Sequence, residues 1–497
     1  MKTENYNLIE EDWIPVLMKD GTNRRVSLGD LFAKGETIAD LSLNPYERVA
    51  IMRLLICIAM AALDKNDLKD EASWRVALPK IKSAVAAYFD KWHDKFNFYG
   101  PNAFMQPDDL KVESDADKSS VQKLFPHLAS GNNGTLYDHG RSIEENNMPI
   151  GMLVYQNYSA GGKHSKCIWG GIETAGTVSA GPAREKSMLH IYACGENLLV
   201  SIWLNLVTEE MIATLPNSAM GRPVWESAQL IRECLSQCGG NGGKPGLLQR
   251  LVPLSRVMKF SVGELSLPLG EGVKYDSLPM ERECMGSVLL KANKDKIEPT
   301  YVSASEDEHP WRSLHAILSM KEKCGSLVLR HLNSLSEGKF SIWCGGLVAN
   351  QAKDEATVEW RFSDDASLLN DAALQIYEKG ILTAKSVSDK ALYAAAAEYT
   401  TKMTIDKKDS VLVPCRARYW DILEKQQPKL LEVVEGKLSM EEWKKLVVDA
   451  AKKAFEETCP HKTGRQLEAY VQALNSIYLP SDDAAAKGKS KKGKKTK

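Results

Sequence analysis

The stretch FSIWCGGLVANQAKDEATVEWRF, residues 340 to 362, predicts a β-hairpin. Polar and apolar residues alternate with period two in Phe340–Trp343 and again in Thr357–Phe362, as in strands that bury one face. Between these runs, Gly345–Ala352 is small and amide-bearing, and we expect it to be a protruding loop. Such a loop is either an ordinary solvated connection or a narrow tip that enters a nucleic-acid groove or presses between base pairs.

Downstream of the hairpin, the sequence changes to consecutive helical patterns, which predict a C-terminal up-down bundle of about four helices. Capping boxes mark two of the helix starts, where Ser439 precedes Glu442 and Thr463 precedes Gln466. The predicted helical segments are residues 367–382, 388–403, 414–434, 439–459 and 463–478. Apolar residues recur at helical spacing in the last of them, at Leu467, Tyr470, Val471, Leu474 and Tyr478, and predict one buried face.

Upstream of the hairpin, short strand-like runs alternate with helices and glycine-containing loops, without an internal repeat. This mixture predicts an irregular α+β fold, with helices over 46–63 and 74–92. We therefore divide the chain into a large N-terminal α/β-mixed domain, a helical bundle and a disordered Lys-rich tail. Their expected bounds are 1–365, 366–482 and 483–497.

Length and composition restrict the class of protein. A chain of 497 residues exceeds what one hydrophobic core usually serves, so at least two domains are expected. The longest apolar run, Val49–Leu63, is interrupted by Arg53 and is too short to span a bilayer. The N-terminus lacks a secretory signal, and ten scattered cysteines are typical of reduced thiols. These features predict a cytoplasmic protein without a membrane role.

The net charge of −1 conceals an asymmetry between the tail and the rest of the chain. Residues 486–497 contain seven lysines and no acid, which leaves 57 basic and 65 acidic residues elsewhere. A nucleic-acid role would therefore depend on local loops rather than on a basic surface. The tail itself is typical either of loose polyanion binding or of a solubilising extension.

Motifs for catalysis, metals or cofactors are absent from the sequence. Cys234 and Cys238 share one helix face, but a structural zinc needs four ligands and no second close pair occurs at the usual spacing. His93 and His309 are far from one another in the sequence, and we interpret each as a surface histidine or a core histidine whose ring is satisfied. There is no P-loop, dinucleotide fingerprint or nucleophile elbow. We expect a non-catalytic protein that binds neither metal nor cofactor.

Two glycine-rich segments are candidate ligand contacts. In Ser159–Lys166, the glycines allow close backbone approach to a ligand, and lysines supply charge for phosphates. In Ser130–His139, turn-forming residues surround an apolar and aromatic tip. Each segment is equally consistent with a surface loop of no special function.

Taken together, these segments resemble the large subunit of the type I-E CRISPR Cascade surveillance complex, the CasA family. The similarity spans nearly the whole chain and depends on the order of motifs that are individually weak. The matching segments are Asn7–Ile9, Asp12–Val16, Val26–Leu28, Asp30–Phe32, Ala103–Gln106, Gly181–Arg184, Val200–Asn205, Gly345–Gly346 and Asn350–Ala352, followed by the helical C-terminal region.

The resemblance implies recognition of a protospacer-adjacent motif (PAM) from the minor groove and opening of the duplex for crRNA pairing. The implied PAM contacts are Gly161, Gly162, Lys163, Lys274 and Ala352, where Lys274 is chosen by its order along the chain alone. The implied duplex wedge consists of Asn350 and Gln351, with Ala352 beside them. The implied docking loop toward the crRNA handle and neighbouring subunits contains Asn133, Leu136, Tyr137 and Asp138, with Leu136 where a larger aromatic residue can occur in the family.

The same resemblance implies the partners. They are the crRNA-bearing Cascade subunits (backbone, handle-binding and small subunits), double-stranded target DNA, and a helicase-nuclease recruited after unwinding. Two other functions are compatible with the residues. One is a purely structural scaffold subunit without direct DNA contact, and the other is a metal-dependent nuclease.

Overall fold

The computed structural model describes residues 6–128, 143–163, 166–174, 177–214, 219–227, 231, 246–273, 275, 283–293, 296–319, 326–334, 338–350 and 353–478. The chain forms two compact units. Unit one contains Met1–Pro310 and Ala316–Ala366, and unit two contains Trp311–His315 and Ser367–Lys497. The mixture of helices and strands confirms the predicted α+β class. Within the described ranges, no helix is both long enough and apolar enough to cross a membrane.

The described strands of unit one form small antiparallel sheets. They are Ile14–Met18 (β1), Asn23–Val26 (β2), Ile38–Leu41 (β3), Lys111–Val112 (β4), Ser119–Ser120 (β5), Gly162–Lys163 (β6), Cys167–Trp169 (β7), Ile172–Glu173 (β8), Thr177–Val178 (β9), His190–Cys194 (β10), Arg256–Met258 (β11), Ser266–Leu267 (β12), Leu269–Glu271 (β13), Val288–Asn293 (β14), Lys296–Tyr301 (β15), Lys339–Asn350 (β16) and Lys353–Asp365 (β17). Three sheets have three strands, in the orders β2-β1-β3, β4-β7-β8 and β10-β16-β17.

Helices pack between and beside these sheets. They are Leu28–Lys34 (α1), Pro45–Ala62 (α2), Glu71–Arg75 (α3), Leu78–Trp92 (α4), Met148–Tyr158 (α5), Leu198–Leu204 (α6), Glu209–Ala213 (α7) and Leu247–Leu251 (α8), while Leu314–Ile317 (α9) contains residues of both units. The buried helix predicted over 46–63 is confirmed as α2. Arg53, the one charge within the apolar run Val49–Leu63, is fully buried and pairs with Glu283 at 2.6 Å, so the cation does not prevent burial of the helix.

Most of the helix predicted over 74–92 is present as α4, but α4 begins at Leu78, and the first predicted residues belong to the short helix α3. Pro79 lies in the first turn of α4. A proline at this position cannot donate the amide hydrogen bond that would continue the preceding helix, whereas it is tolerated in the first turn of a new one. The chain therefore stops one helix and starts another.

The central hairpin is longer than predicted. Residues 345–350, expected to be loop, continue β16, which pairs with β17 from Lys339 opposite Asp365 to Asn350 opposite Lys353. The glycines serve close packing rather than a turn. A Cβ at Gly345 would lie 2.4 Å from the ring of Trp343. A Cβ at Gly346 would lie 2.9 Å from the carbonyl oxygen of Met188.

Unit two is helical, as predicted. Its described α-helices are Asp371–Ser386 (α10), Tyr393–Met403 (α11), Asp409–Lys425 (α12), Gln427–Val434 (α13), Met440–Thr458 (α14) and Gly464–Leu474 (α15), with a π-helical turn at Val387–Leu392. Both predicted capping boxes are present, at the starts of α14 and α15. The helix predicted over 414–434 is two helices, since Pro428 lies in the first turn of α13.

The buried face predicted for the last helix was partly wrong. The side chains of Leu467 and Val471 are 50% and 49% exposed, and Tyr478 is exposed as well. Instead, Ala469 and Ala473 are buried where α15 packs against α11. Alanine side chains let two helices approach closely, and this contact rotates the larger apolar residues outward.

An aromatic stack forms part of the core of unit one. The rings of Trp74 and Trp203 are parallel within 2°, with centroids 4.4 Å apart, and each indole N–H donates to the other residue's carbonyl at 2.9 Å. His331 stacks on Trp74 at 3.8 Å. Its Nε2 lies 2.9 Å from the carbonyl oxygen of Leu206, so that nitrogen carries the hydrogen. Burial lowers the pKa of His331 to about 4.

Candidate nucleic-acid interface

The hairpin β16–β17 carries the predicted wedge at its far end. Asn350 is exposed and is the last residue of β16, opposite Lys353. Strand β10 pairs with β16 only as far as Gly345, so the hairpin continues beyond the three-stranded sheet as a two-stranded ribbon. The register shifts between Val348 and Ala349, which increases the local twist. Gln351 and Ala352, the rest of the predicted tip, lie outside the described residues.

The base of the hairpin is fixed to the body of unit one by charged groups. Nη1 of Arg48 donates to Oδ1 of Asp40 at 2.7 Å, and Arg361 on β17 pairs with the same carboxylate. The guanidinium of Arg48 lies 5.6 Å from the ring centroid of Trp343. Trp343 in turn donates its indole N–H to Glu359 at 2.6 Å. These contacts join both strands to α2 and β3.

Closer to the end of the hairpin, Ser187 bonds with the backbone of Ala349. Its Oγ donates to the carbonyl oxygen of Ala349 at 3.0 Å and accepts from the Ala349 amide at 2.9 Å. Lys186 and Ser187 both have left-handed backbone conformations, with φ of 51° and 50°. This conformation costs on the order of 1 kcal/mol for each L-residue that is not glycine. The backbone at Lys186 and Ser187 is therefore held in this conformation by contacts with other residues rather than by the intrinsic preference of these two residues.

Arg184 makes a second connection to the hairpin. Its side chain is 4% exposed, and its Nη1 donates both to the carbonyl oxygen of Tyr158, at 3.1 Å, and to Oδ1 of Asp354, at 2.5 Å. Tyr158 is the last residue of α5, and Asp354 is the second residue of β17. Burial raises the pKa of Asp354, while the guanidinium of Arg184 acts in the opposite direction.

The predicted minor-groove segment begins three residues after α5. Gly161 and Gly162 are exposed, and Gly162 has φ of +136°, a conformation that favours glycine. A Cβ at Gly162 would have no neighbour within 4 Å, so open space surrounds this part of the backbone. Lys163 follows in β6, where its backbone pairs with Thr177.

The buried side chain of Arg256 binds the backbone next to this glycine segment. Its Nη2 donates to the carbonyl oxygens of Ala160, at 3.1 Å, and Ser179, at 2.5 Å. Gln156 in α5 donates to the carbonyl oxygen of Arg256 at 2.8 Å and accepts from its amide at 2.8 Å. The backbone just before the glycines, at Ala160, and just after β9, at Ser179, is thus attached to β11 and, through Gln156, to α5.

Several predicted residues cannot be located in the interface. Lys274, Gln351, Ala352 and the predicted docking-loop residues Asn133, Leu136, Tyr137 and Asp138 lie outside the described residues. So do Cys234 and Cys238 and the residues of the Lys-rich tail. Within the part of the chain that the structure describes, no three His, Cys, Asp or Glu side chains form a group able to hold a metal ion.

Sequence reasoning missed Ser187 and used Arg184 only as part of a family motif. Neither has a local signal, because the Arg184–Asp354 and Ser187–Ala349 contacts join residues separated by 170 and 162 positions. The only available indication was the Gly181–Pro182 turn just before them. A Cβ at Gly181 would lie 2.4 Å from the carbonyl oxygen of Asn157, so this turn packs directly on the end of α5.

Comparison with known proteins gives a consistent result. The sequence pattern of a family described as CRISPR-associated protein Cse1 matches residues 7–454. The chain is 26% identical over 495 residues to the CRISPR-associated protein CasA/Cse1 of Thermus thermophilus, covering 92% of each protein.

Solved structures share the fold. A crystal structure of Thermus thermophilus CasA has a TM-score of 0.77 at 22% identity, covering 95% of this chain and 98% of that one. Thermobifida fusca Cse1 has a TM-score of 0.77 at 17% identity, covering 95% and 97%. A chain of a CRISPR RNA-guided surveillance complex has a TM-score of 0.76 at 16% identity, covering 95% and 99%.

Proposed function

The chain belongs to the CRISPR-associated Cse1 family, the large subunit of the type I-E CRISPR Cascade complex, and from this premise we propose that it recognises target DNA. In this proposal the chain reads the PAM from the minor groove, wedges open the duplex to start R-loop formation, and helps to recruit a helicase-nuclease. It acts without catalysing a reaction. Its partners are the crRNA-bearing backbone, handle-binding and small subunits, and the double-stranded target.

The observation that carries the proposal is the two-stranded ribbon that continues past β10 and ends at the exposed Asn350. Asn350 is five positions after Gly345, and at about 3.3 Å per residue the ribbon extends roughly 17 Å beyond the sheet. The contacts of Arg361 with Asp40, of Ser187 with Ala349 and of Arg184 with Asp354 hold the hairpin, so its end has a defined position at which to meet a base pair. Separating a base step costs a few kcal/mol, which guide pairing then offsets.

The glycine segment supports minor-groove reading. A glycine backbone can approach the floor of a narrow groove closely. Gly161 and Gly162 are exposed, and a Cβ at Gly162 would have no neighbour within 4 Å. Lys163 follows directly and supplies a charge suited to phosphate. Because Arg184 bonds both to Tyr158, just before the glycines, and to Asp354, near the hairpin end, the two proposed DNA contacts belong to one connected region.

The test uses the complex assembled with crRNA and a duplex target that carries a fluorescent base analogue at the first protospacer pair. We expect Gln351→Ala and Asn350→Ala to slow the fluorescence rise, while crRNA-complex assembly stays unchanged. Thr357→Ala, at an exposed position of the same ribbon, is the matched control. Equal rates for the wild type and the tip variants would instead support a scaffold without direct DNA contact.

A further inference from the structure

We infer that Arg184 is a positioning residue that couples the hairpin end to the glycine segment, so that PAM binding and strand opening share one fixed geometry. This inference rests on the proposed function. It assigns Arg184 no contact with DNA, because its side chain is 4% exposed. Its role is to hold Asp354 and the carbonyl oxygen of Tyr158 at one guanidinium nitrogen.

The first argument is the register of the hairpin. Ala349 and Asp354 are direct partners across β16 and β17, one rung before Asn350 and Lys353. Ser187 holds Ala349, and Arg184 holds Asp354. Both strands of the same rung are therefore attached to one short segment, immediately before the predicted wedge.

The second argument is the attachment of that segment to α5. The amide of Gly181 donates to the carbonyl oxygen of Ser159 at 2.8 Å, and the amide of Arg184 donates to the carbonyl oxygen of Gly181 at 3.1 Å. A Cβ at Gly181 would clash with Asn157 at 2.4 Å, which shows how closely the turn packs. The end of α5, the start of the glycine segment and the turn thus form one unit, and Arg184 extends this unit to the hairpin.

The third argument concerns the chemistry of the pair. Arg184 and Asp354 have side chains that are 4% and 19% exposed, and a buried ion pair contributes defined geometry more reliably than net stability. Both bonds start from Nη1 of Arg184, and a lysine nitrogen, although it also carries several hydrogens, ends one bond earlier along the side chain. Arg184→Lys therefore keeps the charge but places its nitrogen too far back to hold both acceptors at the present distances. Asp354→Asn keeps the shape and removes the charge.

The experiment measures opening of two targets by complexes that contain Arg184→Lys or Asp354→Asn. One target is a fully paired duplex with the PAM, and the other has the first protospacer pairs already unpaired by mismatches. If Arg184 acts by placing the wedge, opening of the paired target slows by roughly tenfold to a hundredfold, as expected for a small misplacement, and the pre-opened target restores nearly the wild-type rate. A purely structural defect would slow both targets equally.

Controls separate this inference from the proposed function. Lys34→Gln removes an exposed pair with Asp30 and is expected to leave both rates unchanged. If Gln351→Ala opens the paired target normally, the proposed wedge itself fails. If Gln351→Ala is slow but Arg184→Lys and Asp354→Asn open the paired target at the wild-type rate, only the coupling is overturned. Loss of complex assembly in both Arg184→Lys and Asp354→Asn would assign the ion pair a role in folding and would also overturn the inferred coupling.

Discussion

Ala349 and Asp354 face each other across the two strands of the hairpin, and each is held by a different residue of the segment 184–187. Ser187 bonds with the backbone of Ala349, while Arg184 bonds with the side chain of Asp354. The position of the hairpin end is therefore determined by residues far from it in sequence. This arrangement suggests substitutions outside the hairpin that alter the position of the hairpin end without replacing any residue in it.

Ser187→Ala removes two hydrogen bonds with Ala349 and places alanine at φ of 50°. Each lost bond costs about 1 kcal/mol, so we expect a lower melting temperature for the isolated chain and slower opening of a paired target in the complex. Ser187→Gly is the matched variant, because it loses the same bonds but relieves the backbone conformation. We expect it to melt above Ser187→Ala. Equal melting temperatures for the two variants would contradict strain at this position.

Gly346→Ala tests the close packing of the hairpin on the adjoining segment. The added methyl group would lie 2.9 Å from the carbonyl oxygen of Met188, so the strand has to shift. Such overpacking costs about 1–3 kcal/mol, measurable by urea denaturation. Gly464→Ala is the control, because a Cβ at that position has no neighbour within 4 Å. If Gly346→Ala changed stability no more than Gly464→Ala, the hairpin would not be closely packed at this position.

The buried histidines predict how stability depends on pH. Burial lowers the pKa of His331 to about 4 and that of His190 to about 3, so both are neutral in the folded chain at pH values where the unfolded chain protonates them. The contribution of these two histidines to the free energy of unfolding is thus fully present above a pH of about 6.5 and is lost as the pH decreases toward 4. For His331 the loss is on the order of 3 kcal/mol.

Denaturation of the His331→Gln variant between pH 4 and 7 checks this expectation. The variant is less stable than the wild type at neutral pH, since it loses the stack on Trp74, but its stability changes less with pH. His93→Gln, at a half-exposed position, is the control. The same pH slope in wild type and His331→Gln would show that His331 does not contribute.

Lys163→Ala examines the charge beside the glycine segment. Lysine contacts phosphate without reading bases, so we expect weaker binding to PAM-bearing and PAM-free duplexes alike. The slope of log affinity against log salt concentration should decrease by about one. Measurement of affinity at several salt concentrations gives both quantities. A loss confined to PAM-bearing targets would indicate that Lys163 reads sequence instead.

Local chemistry explains which parts of the fold could be predicted. The capping boxes at Ser439 and Thr463 depend on residues three positions apart, and both are present as expected. Alternation predicted the hairpin, but Gly345 and Gly346 resemble turn residues and shortened the predicted strands. Their actual role is to admit a nearby ring and a backbone oxygen, which no local pattern encodes.

The candidate site was less predictable than the fold, for the same reason. Asn350, Gly161 and Gly162 could be proposed from a family resemblance, and the structure describes all three as exposed. The connection between these two places depends on Arg184, which bonds with residues 26 and 170 positions away. A buried arginine in a short turn has no sequence pattern that identifies its partners.

The stack of His331 on Trp74 has an optical consequence. A protonated imidazole in contact with an indole quenches its emission, so protonation of His331 within the folded chain should dim the fluorescence of Trp74. Light emitted by a core tryptophan would then report the arrival of a proton in the interior, without any attached dye.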